Sequence, residues 1–304
     1  MALLNPCSVT GRGSNTGVEC GKTLGVPAGI IMVPANAKWS LADMQDFAAY
    51  IQTKIHAAAS QRWYPVFTDL KNFEVTQDSD TQENFADGTN KMIRLGGYTL
   101  TFSFLEGGEC LAKSLLSFNK KGYRFIVVDV DSQFKVRKNG DGSYSGLRVT
   151  DLYAPSPNLN TLAASYMNRI IASISVDEYI EKAEIFLNDT DLTELNGLLE
   201  VELSSVAAPT ATKLTISAKT ECAGTDLYDE YADALAVVDA WKVTDSTGAD
   251  VAITAVAKND TLKAWELTGA FTGTIKVSLV APSVLQATPI SVDGFESETL
   301  SITL

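Results

Sequence analysis

Histidine is almost missing from this chain: His56 is the only one in 304 residues. Cysteine is scarce and scattered, at Cys7, Cys20, Cys110 and Cys222, with no C-x-x-C pair. Together these shortages exclude a Cys/His zinc site of the usual spacing. Dispersed thiols suit a protein matured in a reducing compartment, where they are expected to be buried or inert. Basic residues are outnumbered 24 to 37, for a net charge of −13, which argues against a free nucleic-acid binder, since such proteins carry a basic face. The deficit is shared along the chain, because residues 206–304 hold six lysines against thirteen acids. No apolar run approaches the roughly 18 residues of a membrane helix. The opening, MALLNPCSVTGRG, has no basic segment and only a short apolar run, unlike a secretory signal. The expectation is a soluble protein made and assembled inside a cell.

Apolar residues make up 45% and charged residues 20%, an ordinary globular balance that supplies a sizeable core. The length suits two domains. Residues 1–38, rich in Gly, Pro and Asn, read as an extended arm with room for one strand at the short apolar run Gly29–Val33, bounded by prolines. Residues 40–59 read as a helix. Ser40 and Asp43 stand at capping-box spacing, and Leu41, Met44, Phe47, Ala48, Ile51, Ile55 and Ala58 repeat at helical intervals. A strand follows over Tyr64–Val75, with Pro65 marking its start or an edge. Lys91–Phe104 reads as another, in which Leu100, Phe102 and Phe104 alternate with Thr99, Thr101 and Ser103. Residues 108–121 suit a second helix, with Leu111, Leu115 and Phe118 on one side, Lys120 and Lys121 in its last turn, and Gly122 as its stop. Tyr123–Asp131 is a strand, and QFKVRK-NGDG-SYSGLRV is a hairpin turning at Asn139–Gly140. Alternation of Ile170, Ala172, Ile174 and Val176 favours strand within 163–187. Near VAAPTAT (206–212) the texture changes to short strands with regular turns, anchored by Trp241 and Trp265. About a hundred residues of this pattern suggest a small immunoglobulin-like sandwich. The predicted class is therefore mainly β with a few helices (α+β), an assembly domain over 1–205 preceding a sandwich over 206–304.

Candidates for chemistry are few. GVECGKT (17–23) ends like a phosphate-binding loop, but the required first glycine is Thr16, so a flexible segment is the better reading. Asp129 and Asp131 form a D-x-D at a strand end, a pair able to hold a divalent cation. Without a nucleotide-binding βαβ pattern they are more simply a solvated strand end. NGDG (139–142) lacks the spacing and distal Glu of a calcium loop. His56 sits in the middle of the first predicted helix outside any Ser, Cys or Asp motif of a general base, so a surface or packing role is the better reading. No catalytic, cofactor-binding or metal-ligating residue is assigned, and no cofactor is expected.

The stretch VTQDSDTQENFADGTNKMIRLGGYTLTFSF (75–104) is the anomaly. It sets a long polar loop, whose charges are all acidic, before a glycine pair and a well-patterned strand, and loops of this length are functional or disordered. The order of elements over 65–154 resembles that of the major tail tube proteins of tailed bacteriophages. It runs strand, long loop, Gly96-Gly97-Tyr98 strand, short helix, strand and NGDG hairpin. Some tail tube proteins of long-tailed phages are similar in carrying an immunoglobulin-like domain after the tube domain.

That resemblance implies a structural virion protein without enzymatic activity. Its copies would assemble in the host cytoplasm into hexameric rings stacked as a tail tube, joined to other virion tail proteins. DNA would pass through without specific binding, and no membrane would be involved. The loop Thr76–Asn90 would be an assembly arm, with Asp78, Asp80, Glu83, Asp87 and Gly88 as its candidate residues. Acidic side chains facing the lumen would repel DNA. Strand Tyr98–Phe104, uncharged and apolar, offers either an edge for a neighbour or a core strand. Other readings are a head decoration or connector protein, or a two-domain surface-binding adhesin; an enzyme would act through Asp129 and Asp131.

Overall fold

The computed structural model describes residues 24–67, 70–105, 107–119, 122–156, 158–160, 165–188, 190–195 and 197–304. The chain is mainly β with short helices, and it divides into two units, Met1–Leu195 and Asn196–Leu304.

In unit 1 the elements follow in chain order: β1 (Pro27–Pro34), α1 (Phe47–Ile55), β2 (Tyr64–Val66), β3 (Leu70–Gln77), β4 (Thr81–Asn84), β5 (Asn90–Arg94), β6 (Tyr98–Phe104) and α2 (Gly108–Phe118). After them come β7 (Tyr123–Asp129), β8 (Gln133–Lys138), β9 (Tyr144–Ser145), β10 (Asp151–Tyr153), β11 (Asn158–Asn160), β12 (Ser165–Ile174) and β13 (Ala183–Leu187). One sheet has the order β13-β8-β7-β1-β2 with β9 added to β8. The other has the order β10-β12-β6-β3 with β11 added to β12, while β4 and β5 pair only with each other.

Physical reasons for this layering are visible residue by residue. β1 (IIMV) and β7 (FIVV) are apolar without alternation, the mark of strands covered on both faces. Ile30, Met32, Phe125 and Val127 face the second sheet, where Leu100, Phe102 and Phe104 of β6 and Ile170, Ala172 and Ile174 of β12 meet them. On the opposite face α1 brings Phe47 to within 4.5 Å of Phe134, ring centre to ring centre, and Trp39 and Trp63 complete an aromatic cluster. α2 lays Leu115 into the core, with Leu111 and Phe118 packed at its margin. The loss of water contact by such side chains is worth about 1.5–3 kcal/mol each and holds the layers together.

Several sequence expectations are corrected here. The strand allowed for at Gly29–Val33 forms as β1, but it lies inside a sheet between β7 and β2 and so is not part of an arm; residues 1–23 lie outside the described ones. The Ser40–Asp43 box forms, with Asp43 Oδ2 accepting from Ser40 N at 2.7 Å, but it closes the turn that leads into a 3-10 segment (Asp43–Asp46), and the α-helix runs only over Phe47–Ile55. Leu41 and Ala58 are consequently exposed. α2 ends at Phe118, before Gly122; Lys120 and Lys121 lie outside the described residues. β6 is an interior strand, so its apolar row serves the core and offers no edge. Residues 165–187 split into β12 and β13, joined by a π-helical turn at Asp177–Glu181.

Unit 2 contains β14 (Leu199–Ser205), β15 (Lys213–Thr220), the short α3 (Tyr228–Tyr231), β16 (Trp241–Asp245), β17 (Ile253–Asn259) and β18 (Ala264–Gly269). It continues with β19 (Thr274–Leu279), α4 (Pro282–Leu285), β20 (Phe295–Ser297) and β21 (Leu300–Thr303). Its sheets have the orders β17-β18-β15-β14-β20 and β16-β19-β21. Leaving β20 aside, this is the four-plus-three arrangement of an immunoglobulin-type sandwich. Trp241 and Trp265 meet at 5.7 Å across the core. Their indole N–H groups donate to the carbonyls of Leu235 (2.8 Å) and Ala232 (3.0 Å), so the segment between β15 and β16 caps both rings. VAAPTAT is no linker: it turns the chain from β14 into β15, which pair antiparallel from Val201↔Thr220 to Ser205↔Ile216. The boundary therefore falls at 195/196, about ten residues earlier than the change of texture suggests.

Candidate assembly site

The stretch that looked like a loop is a hairpin built on a sheet. β3 and β6 pair from Leu70↔Phe104 to Gln77↔Tyr98. The chain then leaves the sheet and continues as β4 and β5, paired through Gln82↔Met92, Glu83↔Lys91 and Asn84↔Asn90. The tip closes where Phe85 N–H donates to Thr89 O at 2.8 Å and Gly88 N–H to Phe85 O at 3.0 Å. Gly88 has φ +83°, a left-handed conformation that glycine adopts without a Cβ penalty. Asp87 accepts from Thr89 N (2.9 Å) and Thr89 Oγ1 (2.6 Å). The Thr89 hydroxyl, followed by the Thr89 amide, holds the Asp87 carboxyl below its ordinary pKa.

The glycine pair is explained at the base of this arm. Asp78 N–H donates to Gly97 O at 2.9 Å, and Gly96 N–H to Asp80 Oδ1 at 2.8 Å. A Cβ on Gly96 would sit 1.8 Å from the Asp78 carbonyl oxygen. The two legs can cross this closely only because residue 96 has no side chain.

Of the five residues singled out from sequence, all lie on this one arm and all are exposed. Asp80, Asp87 and Gly88 build the hairpin, and Glu83 stands opposite Lys91 in its ladder. Sequence reasoning missed the apolar component. Residues 74–95 are exposed without interruption, and among them are Val75, Phe85, Met92, Ile93 and Leu95, from 43% exposed at Phe85 to 58% at Ile93. No other stretch of this length among the described residues exposes more than two large apolar side chains. Met92 lies on the face of Gln82 and Ile93 on the opposite one, so both faces of the ribbon carry apolar surface. The available signal was the MIRL segment, which breaks the alternation of the strand it was read into.

The other motifs resolve into structure. Asp129 is fully buried, and its carboxylate accepts three backbone N–H groups, from Gly25 (2.8 Å), Asp131 (3.0 Å) and Gln133 (2.7 Å). Its lone pairs are committed to the chain turn, and Asp131 points to solvent. Among the described residues no group of three His, Cys, Asp or Glu side chains is placed to hold a metal ion. NGDG is the predicted hairpin turn, closed by Asn139 N–H to Ser143 O at 2.8 Å. Asp141 there is held far below the ordinary carboxylate range by the Lys38 ammonium, 2.8 Å away, and by Ser143. His56 is buried, with Nδ1 2.8 Å from Gln52 O, a packing role. The Gly21-Lys22-Thr23 motif lies outside the described residues.

Cys110 and Cys222 are each disulfide-bonded, and no cysteine among the described residues is free, which departs from the expectation of inert thiols. A cleft of about 500 Å³ in unit 1 is lined by Pro34, Asn36, Ser60, Tyr64 and Tyr123 among others, without a carboxylate, amine, imidazole or thiol. Among the described residues no helix is long and apolar enough to cross a membrane. Comparison with protein-family models and with curated proteins found no match to this chain.

Proposed function

We propose that the protein is a structural subunit that polymerises through the β4–β5 arm, in the manner the tail tube resemblance implies: rings, six-membered by that resemblance, stacked into a conduit for DNA in a virion tail. The observation that carries this reading is the five exposed apolar side chains along residues 75–95, of which Met92 and Ile93 lie in the two-stranded ribbon and Phe85 at its tip. An isolated ribbon of two strands is marginal in water, and exposed apolar side chains concentrated on one projecting segment suit a surface that a partner covers. Half-exposed side chains of this size gain roughly 1 kcal/mol each when covered. Five of them give a contact on the order of 5 kcal/mol before ordering costs are subtracted. Such a contact is weak for one pair of copies and becomes strong when every copy in a closed ring makes it. Asp78 and Glu83 are the arm acids left to face a lumen, where they would repel passing DNA.

Negative-stain electron microscopy across a concentration series tests this reading. Full-length protein is expected to form uniform rings or tubes with a central channel, and Met92→Asp with Ile93→Asp to abolish them while leaving the melting temperature within about 2 °C. Rings that form equally well in the double variant would remove the arm from the assembly mechanism. Absence of any ring with the unaltered chain, even at high concentration, would favour the adhesin reading.

A further inference from the structure

The sandwich of unit 2 has four strands that end a sheet: β17 and β20 in the five-stranded sheet, β16 and β21 in the three-stranded one. Three of these edges are guarded. β17 carries a bulge between Ile253 and Ala255 and the charged Lys258, devices that discourage pairing. β20 is three residues long, with Glu296 inside it and Glu298 directly after. β16 is covered by its own chain: Val251 N–H donates to Val243 O at 2.8 Å and Asp245 N–H to Ala249 O at 2.9 Å.

β21, four residues long, has no bulge, no charge within it and no chain among the described residues covering its outer edge. From Thr299 to Leu304 the chain reads TLSITL, without charge or proline, and its register with β19 is unbroken from Thr274↔Thr303 to Val277↔Leu300. Leu304 N–H donates to Gly273 O at 3.1 Å. That bond turns the backbone groups of Leu300, Ile302 and Leu304 toward β19, and those of Ser301 and Thr303 away from it. Neither Ser301 nor Thr303 has a hydrogen-bond partner for these outward N–H and C=O groups among the described residues. Both side chains are exposed, whereas Ile302 between them is buried and pins the strand in place.

We propose that this edge is a docking surface for the same strand of a second copy. The two strands run antiparallel about a two-fold axis at Ile302, so that Ser301 of one copy exchanges both N–H···O bonds with Thr303 of the other. Four hydrogen bonds form, and two three-stranded sheets become one of six. Identity of the partner follows from symmetry and charge. A two-fold pairing uses the same edge twice and satisfies every outward group on both. It also sets Ser301 beside Thr303, a favourable cross-strand pair. In a chain of net charge −13, an uncharged edge is where two copies approach with least repulsion. This contact lies in unit 2 and stands independently of the arm.

Sedimentation velocity of the full chain carrying Met92→Asp and Ile93→Asp, which silence the arm, reads the edge alone. A concentration-dependent monomer–dimer equilibrium is expected. Ser301→Pro removes only an outward N–H, so the fold is retained, and the dissociation constant rises roughly tenfold or more. Ser301→Lys with Thr303→Lys sets lysines directly opposite lysines and has the same or a larger effect. Ala257→Lys on the guarded β17 edge leaves the dimer intact. Circular dichroism confirms folding of each variant. A chain that stays monomeric with an intact β21, or a dimer indifferent to both β21 variants, overturns the proposal.

Discussion

Replacement of Asp129 by Asn distinguishes a structural carboxylate from a metal ligand. One carboxylate oxygen accepts from Asp131 N and Gln133 N, and the other accepts from Gly25 N at 2.8 Å. An Asn oxygen placed on the first side keeps two of these bonds but weakens them, since a charged acceptor makes bonds about twice as strong as a neutral one. Its amide then faces the Gly25 N–H, two donors against each other in a site without solvent exposure. Each buried group left unsatisfied costs about 1–3 kcal/mol. Loss of one bond and weakening of two sums to roughly 3 kcal/mol. For a unit of this size that corresponds to a drop of about 6–12 °C in melting temperature. Differential scanning calorimetry of the full chain, following the transition of unit 1, measures it. A shift smaller than about 2 °C would show that the three hydrogen bonds do not hold the turn together. A rise in the wild-type melting temperature with added Mg²⁺ or Ca²⁺ that the variant lacks would restore Asp129 as a cation ligand.

Gly96→Ala drives a methyl group into the Asp78 carbonyl at 1.8 Å, so the base of the arm must open. Amide hydrogen exchange across 78–97 is expected to accelerate, while the buried β6 and β12 amides keep their protection; unchanged exchange in the arm would refute the crossing geometry. Lys135 lies 3.4 Å from the centre of the Tyr179 ring, and burial pushes its pKa down to about 8 from the usual value near 10.5. Between those two values the unfolded chain binds the extra proton, so the Lys135 contribution makes the stability of unit 1 rise with pH from about 8 to 10. Lys135→Met should flatten that slope in urea titrations, and an identical slope in the variant would contradict a buried amine.

Much of this molecule follows from local chemistry. The Ser40–Asp43 hydrogen bonds, the Asn139 hairpin turn and the alternation of β6 each depend on residues a few positions apart, and each forms as the sequence predicts. The short alternating runs and regular turn signals yield the mainly β class. What local patterns do not carry is the partner of a strand. β1 looks like a short apolar run in a glycine-rich arm, yet it pairs with β7 about a hundred residues later, and that pairing sets it inside a sheet whose two faces are both covered. β14 reads as the tail of the first domain until its bonds to β15 and β20 assign it to the second. The candidate assembly site divides in the same way. Its acids, its tip glycine and its unusual length are legible, because polarity and turn chemistry are local. That MIRL leaves the sheet and presents Met92 and Ile93 on opposite faces depends on the crossing of two backbones at Gly96. A contact between segments distant in the chain decides which apolar residues become core and which stay exposed, and the tertiary structure alone contains it.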